Sequence, residues 1–560
     1  MKMETSISNK YVGKLFSLTA KLMDVKGENR FRVSAYQRAA RAIETLPDNV
    51  VKMLESGQLS KIKGLGGTMV TSIRSVVETG TFNHYEQLLK EIPSGVREML
   101  MIKGLGPKKI RHIWLGMGIE SMGELYYACN ENRLMKEKGF GAKTQDKVRK
   151  AIEFYKNAQG KYHYARLLKI GNDCIKSLQK SLGKKTQIAL TGEIRRKCEV
   201  LTQIDILVEQ GHEEELQTWA NDSKKYAPIG SPNKALFKVI ELSTQVPISL
   251  HFAQKDFGQS LFESSATPTH LQAIGYSSEQ AFESEEALYT SLGFPYIIPE
   301  LREGRGEVER AKANQLPPAF ITESDIKGII HAHSTYSDGA NTLKEMAVAC
   351  QKLGYQYLGI TDHSKSAFYA NGLSEGRIEE QHKEIDRLNA QFEGFKIFKG
   401  IESDILNDGS LDYEDSVLAS FDFIIASVHS NLSMPAEKAN ARLIKAIENP
   451  YTNILGHMTG RLLLVRNGYP VDHQKIIDAC AANQVAIELN ANPFRLDMDW
   501  RWIERAMEKG VMIAINPDAH SIVGYEDVQF GVAAARKGML TPQMCLNTLT
   551  TKELAEFFSR

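Results

Sequence analysis

Between residues 326 and 520 one local pattern recurs about seven times, a short apolar run that ends on a histidine or an acid. "IKGIIHAH" ends in His331 and His333, with Asp338 in the Gly turn behind it. "YLGITDHS" ends in His363, "KIFKGIESDI" in Glu402, "DFIIASVHS" in His429 and "TNILGHMTG" in His457. "VAIELNAN" carries Glu488 and Asn490, and "VMIAINPDAHS" carries Asp518 and His520. Helix-like stretches such as "TLKEMAVACQKLG" and "WRWIERAMEKG" separate the runs. Continuous apolar runs alternating with such helices read as parallel strands covered on both faces. Such a series closes into a (β/α) barrel with its functional groups at the strand C-termini.

A lone histidine is more often a hydrogen-bonded core or surface residue than a ligand. That reading fails for a set placed so regularly: of the eight histidines in 326–560, only His382 and His473 fall outside strand ends. Imidazole and carboxylate without thiolate suit Mn²⁺, Zn²⁺ or Fe²⁺. The six cysteines are scattered with no Cys-x-x-Cys, which reads as reduced thiols in a cytoplasmic protein. No apolar run approaches a membrane span, and "MKMETSISNK" lacks a signal-type apolar region, so membrane insertion and secretion are not expected.

The front of the chain has a different chemistry. Residues 1–150 carry 26 Lys and Arg against 15 Asp and Glu, whereas the remainder carries 43 against 53. A basic front suits a polyanion. Within it, "IKGLGG" (Ile62–Gly67) and "IKGLGP" (Ile102–Pro107) each lead into a helix-like segment, and "KGFGAKTQDKVRKAI" from Lys138 is a looser third copy. Gly64, Gly66, Gly104 and Gly106 permit tight turns with exposed N–H groups at a helix start, and Lys108 and Lys109 follow directly. One such turn could be an ordinary helix–helix connection. The repetition in a basic region points instead to a grip on phosphates that ignores base sequence. The spacing resembles helix-hairpin-helix motifs.

"GENRFRVSAYQRAARAI" (Gly27–Ile43), taken with the hairpins, resembles the small N-terminal domain of family-X DNA polymerases. In some members that domain is a lyase with a Schiff-base lysine. The matching position is Ser72, whose hydroxyl cannot form one. "QIALTGEIRRKCEVLTQIDILVE" resembles the family's nucleotidyltransferase core at Gly192, Arg195, Arg196 and Asp205. Glu193 replaces the serine of the triphosphate turn, Gln203 the first metal-binding Asp and Ser249 the third. In "FGQSLFESSATPTHLQ" the family's Thr-Gly-Ser core is missing, and the segment before "ALYTSLGFPYIIPELREGRGE" is short. Two-metal transfer requires several carboxylates, so this core reads as a retained fold with a dismantled site.

Residues 326–560 resemble the polymerase-and-histidinol-phosphatase (PHP) domain, which implies a distorted seven-stranded barrel holding about three metals. Its ligand pattern carries over to His331, His333, Asp338, His363, Glu402, His429, His457, Asp518 and His520, with Glu488 outside it as a supporting or structural acid. The whole chain resembles a bacterial family-X polymerase with a C-terminal PHP domain. The resemblance implies a Mn²⁺-dependent phosphoesterase acting as a 3′-5′ exonuclease, with end-trimming or abasic-site activity. Lys365, Arg461 and Arg495 follow strand ends and are candidates to orient phosphate, with solvation as the plain alternative.

The expected fold is α/β and multidomain. It runs from a lyase-like helical region (1–80) and a hairpin region (81–160) to a degenerate nucleotidyltransferase core of α+β type (161–310), a linker (311–325) and the barrel (326–560). The expected partner is gapped, nicked or 3′-ended DNA. The rivals are a working polymerase with a proofreading domain, a non-catalytic DNA-end scaffold and a phosphatase of small metabolites. A full ligand set argues against the scaffold, and a basic hairpin-bearing front against the small-molecule phosphatase.

Overall fold

The computed structural model describes residues 7–559 and divides into two compact units after Gln159. The first is helical. Its helix Asn9–Lys26 buries Val12, Phe16, Ala20 and Met23, one stripe at helical spacing, and stops at Gly27 in the left-handed region. One apolar cluster runs from Val12 to Ile152, so the two regions expected before residue 160 share a core.

The three Gly-rich turns have one geometry. Gly64, Gly104 and Gly139 adopt φ of +99°, +94° and +91°. The next residue, Leu65, Leu105 or Phe140, is buried and bonds back three residues through its N–H. Gly66, Gly106 and Gly141 then cap the helices Gly67–Thr79, Pro107–Arg111 and Ala142–Ala158. The third copy is looser only in sequence, because Phe140 fills the leucine position. A side chain at any of the three capping glycines would point into open space, so backbone N–H groups there are accessible to a ligand.

The second unit starts with the pair β1 (Tyr162–His163) and β3 (Val200–Leu201). Beside it lies a five-stranded sheet of β2 (Ile188–Leu190), β4 (Ile204–Val208), β5 (Tyr226–Pro228), β6 (Leu236–Glu241) and β7 (Val246–Phe252). Its order is β2-β4-β7-β6-β5, and only β4 and β7 run parallel.

Seven parallel strands follow: β8 (Gly328–Ile329), β9 (Tyr357–Ile360), β10 (Lys396–Asp404), β11 (Phe423–Ser427), β12 (Ile454–Leu455), β13 (Ala486–Asn490) and β14 (Ile513–Asn516). They pair in chain order. One face packs on the helices through Leu358, Ile397, Ile424 and Ile487. The other packs through Phe398, Phe423, Ile425 and Ala486 on the C-terminal helix Thr551–Phe558, whose Phe558 ring stacks on Phe423 at 4.5 Å. Glu402 and Glu488 share the parity of Phe398 and Ala486 and therefore stand above that apolar floor. Residues 311–325, expected as a linker, send Ile321 into the barrel core, where its N–H bonds to Leu540.

The barrel is incomplete between β8 and β14, which meet only past their ends, at Ala332 and Ala519. Asn547, fully buried, fills the gap. Its amide donates to Gly328 O (3.1 Å) and to Asn516 Oδ1 (3.3 Å), and its Oδ1 accepts Ile515 N–H (2.7 Å). Unpaired strand edges inside a protein must find such partners. Asn547→Leu should therefore destabilise the second unit by about 2–3 kcal/mol, read as an earlier thermal transition, because it leaves buried backbone groups without partners.

Candidate metal centre

All nine side chains expected as ligands converge at the C-terminal mouth of the barrel. Glu402 is the centre. Its Oε1 lies 3.0 Å from His457 Nε2, 3.2 Å from His429 Nε2 and 3.6 Å from His331 Nε2. Its Oε2 lies 2.9 Å from His363 Nδ1 and 3.7 Å from His333 Nε2. Asp518 faces His333 (3.1 Å) and His331 (3.5 Å), and Asp338 faces His520 (3.5 Å) and His363 (3.6 Å). Three groups have ligand atoms mutually within 4.8 Å: His333, Asp338, His363 and His520; His331, His333 and Asp518; and His363, Glu402 and His429.

Burial alone would push these acids up. The imidazoles around them outweigh it and hold Asp338 at about 2, and Glu402 and Asp518 well below the carboxylate range. Against the same burial, Glu402 and Asp404 raise His429 to about 10, while Asp338 and Asp518 raise His520 to about 9. His333 goes the other way, to about 3, through burial first and then repulsion from the neighbouring His520 and His363. A buried knot of carboxylates needs positive charge, supplied here by protons on imidazoles that divalent cations would displace. The residues fit such cations: His331 Nε2, His333 Nδ1 and Glu402 Oε2 are buried polar atoms without a hydrogen-bond partner.

Supporting acids set the orientation of the ligands. His331 Nδ1 meets Glu488 at 2.6 Å, and Glu488 also accepts from Asn490, Asn516 and the His457 N–H. His429 Nδ1 meets Asp404 at 2.5 Å. Asp362 accepts from both Ser334 and Ser337 and so fixes the turn between His333 and Asp338. Sequence reasoning missed Asp404 and Asp362. Asp404 stands two residues after Glu402 and shares its strand face, a signal that was present. His382 and His473 lie elsewhere, His382 edge-on to Phe421 and His473 stacked on Trp502.

Of the three cations expected to orient phosphate, only Arg495 reaches the cluster, its Nε 3.6 Å from Asp518. Arg461 donates to Asp499 (2.7 Å) and to the Arg495 and Leu496 carbonyls. Lys365 pairs with Glu375 at 2.8 Å and lies over the Tyr413 ring.

The other two candidate sites lie in the helical unit and in the five-stranded sheet of the second unit. In the helical unit, Lys108 lines a cleft of about 590 Å³ with Arg30 and Arg111, and Lys109 lies over the Phe140 ring. In the five-stranded sheet, Asp205 is registered opposite Ser249, and Ser249 opposite Lys238, so neither neighbouring strand supplies a second acid. Asp205 Oδ1 instead accepts from Gln203 (2.7 Å) and meets His251 (2.9 Å). Gly192, at φ +62°, sits against Asp205. Arg195 is paired with Glu285 (2.7 Å), and Arg196 donates to Ser265 O (3.2 Å). Lys537, from the barrel, is buried beside them on Glu303 (2.6 Å) and Arg196 O (3.1 Å).

The helix-hairpin-helix domain family matches residues 7–82, and the PHP domain family matches residues 330–492. The chain is 33% identical over 98% of its length to a Bacillus subtilis (strain 168) protein named DNA polymerase/3'-5' exonuclease PolX, and covers 98% of that protein. A Thermoanaerobacter sp. (strain X514) protein named probable phosphatase is 29% identical over 39% of this chain and 89% of its own. A Caldanaerobacter subterraneus protein of the same description is 29% identical over 34% of this chain and 74% of its own. Among the described residues, no helix is long and apolar enough to cross a membrane.

Proposed function

The chain belongs to the bacterial family-X DNA polymerases that carry a C-terminal PHP domain, and from that premise we propose a DNA-processing phosphoesterase whose hydrolytic chemistry lies in the barrel. The observation that carries this reading is the convergence of five imidazoles on the two oxygens of Glu402, with Asp338 and Asp518 beside them. The reaction is 3′-5′ hydrolysis or trimming of DNA ends. The nine residues would hold about three divalent ions, Mn²⁺ being the one that family membership implies and Zn²⁺ or Fe²⁺ the alternatives that imidazole ligands suit. Such ions supply Lewis acidity toward a phosphodiester and lower the pKa of water. Glu488 takes the Nδ1 side of His331, so that Nε2 faces the cluster, and Asp404 does the same for His429. Arg495 is the cation placed to meet a substrate phosphate.

The domains divide the labour. Residues 1–80 and 81–160 grip DNA backbone through the hairpins at gaps, nicks or 3′ ends, without reading sequence. Residues 161–310 are a nucleotidyltransferase scaffold that has lost template-directed addition. Asp205 stands without a second carboxylate and is satisfied by Gln203 and His251, and Arg195 is committed to Glu285. A live polymerase with a proofreading domain remains the second reading, favoured by the name of the Bacillus relative. Six free cysteines, five of them buried, suit a cytoplasmic setting.

Two assays on the purified protein test this. With Mn²⁺, end-labelled DNA should shorten from its 3′ end, and chelator should stop it. On a one-nucleotide gap with all four dNTPs, no primer extension should appear. Extension that Asp205→Ala abolishes would make the second reading correct; absence of Mn²⁺-dependent hydrolysis would sink the first.

A further inference from the structure

Two adjacent aromatic residues stand in the open beside the metal centre. Phe368 is 88% exposed and Tyr369 is 72% exposed. Burying such rings is strongly favourable, so leaving two together in water calls for a partner. They do not hang on a loose loop. Ala367 and Ala370 on either side are buried, and Ala367, Ala370 and Gly372 all close backbone bonds within the turn. Leu373 N–H bonds to the His363 carbonyl, and Ser364 N–H to that of Glu402. Ser366 donates from its N–H to Asp412 and from its hydroxyl to Asp404, the acid that holds His429. The turn is thus built onto the ligand strands themselves and presents its rings in a fixed place.

Tyr369 stands at the rim of the cluster, with Phe368 preceding it in the same turn. The Tyr369 ring lies 6.3 Å from the ring of His363. Partial burial raises the Tyr369 phenol, and Asp404, Glu402 and Asp338 raise it further against the opposing pull of Arg495. Asp338 and Glu402 are among the nine residues of the cluster, and Arg495 lies 3.6 Å from Asp518 there. A rigid aromatic face beside a phosphodiester site suits a nucleobase, whose flat surface stacks whatever its identity. A base inside a duplex has both faces covered, so only an unpaired one can use it.

Resting on the phosphoesterase reading above, we propose that Phe368 and Tyr369 are specificity-determining residues that stack the unpaired terminal bases of a DNA strand and so present its last phosphodiester to the metal centre. Aromatic stacking of this kind is worth about tenfold or more in affinity per ring. It also separates a nucleic-acid end from a small phosphoester, which has no base to place there.

The test uses the full chain with Mn²⁺ and three variants, Phe368→Ala, Tyr369→Ala and both together, with equal metal content verified. One substrate is an end-labelled strand with three unpaired 3′ nucleotides; the other is the same strand with those three positions abasic. Wild type should prefer the base-bearing end, and KM for it should rise about tenfold for each ring removed. The preference should collapse in the double variant, and Phe368→Trp should keep it. A second readout needs no hydrolysis: quenching of 2-aminopurine at the 3′ end of a phosphorothioate strand, present in wild type and lost in the double variant. If wild type cleaves no DNA, the phosphoesterase reading fails, and the quenching still decides the stacking. Unchanged KM and unchanged quenching in the double variant would overturn the proposal while leaving the hydrolytic reading in place.

Discussion

Glu402→Gln should abolish Mn²⁺-dependent DNA hydrolysis, with a loss of at least about a thousandfold. Replacing a residue that merely supports a metal ligand commonly costs about 10–100-fold, and Glu402 is no mere support: its two oxygens face five imidazoles from four different strand ends. A glutamine keeps the shape and removes the charge that hard cations require. Metal content of the purified variant should fall with activity, and the loss of activity should exceed any fraction unfolded in its melting curve. His331→Ala is a poorer probe than its position at a strand end implies. His331 is fully buried on Glu488, so the substitution leaves a carboxylate without its partner and should cost about 3–5 kcal/mol of stability. Loss of activity there would mix chemistry with unfolding. Asp205→Ala, in the other sheet, should hydrolyse DNA as wild type does. A Glu402→Gln protein that degrades end-labelled DNA at the wild-type rate would place the chemistry elsewhere.

DNA affinity should collapse with salt. Three hairpins of one geometry, in a unit rich in Lys and Arg, can neutralise about six phosphates. That number implies a log–log slope near −5 and a loss of about a thousandfold between 50 and 200 mM salt. Lys63, Lys108 and Lys138 lie exposed at the three turns. Their joint replacement by alanine should flatten the slope by about 2–3, one counterion for each lysine. Binding should be indifferent to base sequence throughout. Anisotropy titrations over a salt series measure both, and a salt-independent affinity would remove the hairpins from DNA recognition.

The features readable in the sequence are those that local chemistry controls. An apolar run with a ligand at its end is a strand and its terminus, because strand burial and side-chain alternation act over a few residues. The Gly-apolar-Gly turns were readable for the same reason, since only glycine adopts φ near +95° without strain. The third turn looked weaker than it is, because phenylalanine takes the buried position that leucine holds in the others. The gaps at Gln203 and Ser249 needed no structure to be seen. That Asp205 lies opposite Ser249 needed the sheet register.

What tertiary structure alone decided is the set of competitors around each side chain. Arg461 follows a strand end as Arg495 does, yet Asp499 and two carbonyls occupy it, whereas Arg495 stays at the cluster. His331 is turned by Glu488, 157 residues away. Asn547, in an unremarked C-terminal segment, closes the barrel against Gly328, 219 residues earlier. Sequence determined the residue types and the elements that carry them, because propensity and periodicity are short-ranged. The identity of each hydrogen-bond partner was decided by folding, because a buried polar group takes whichever donor or acceptor distant segments bring within about 3 Å.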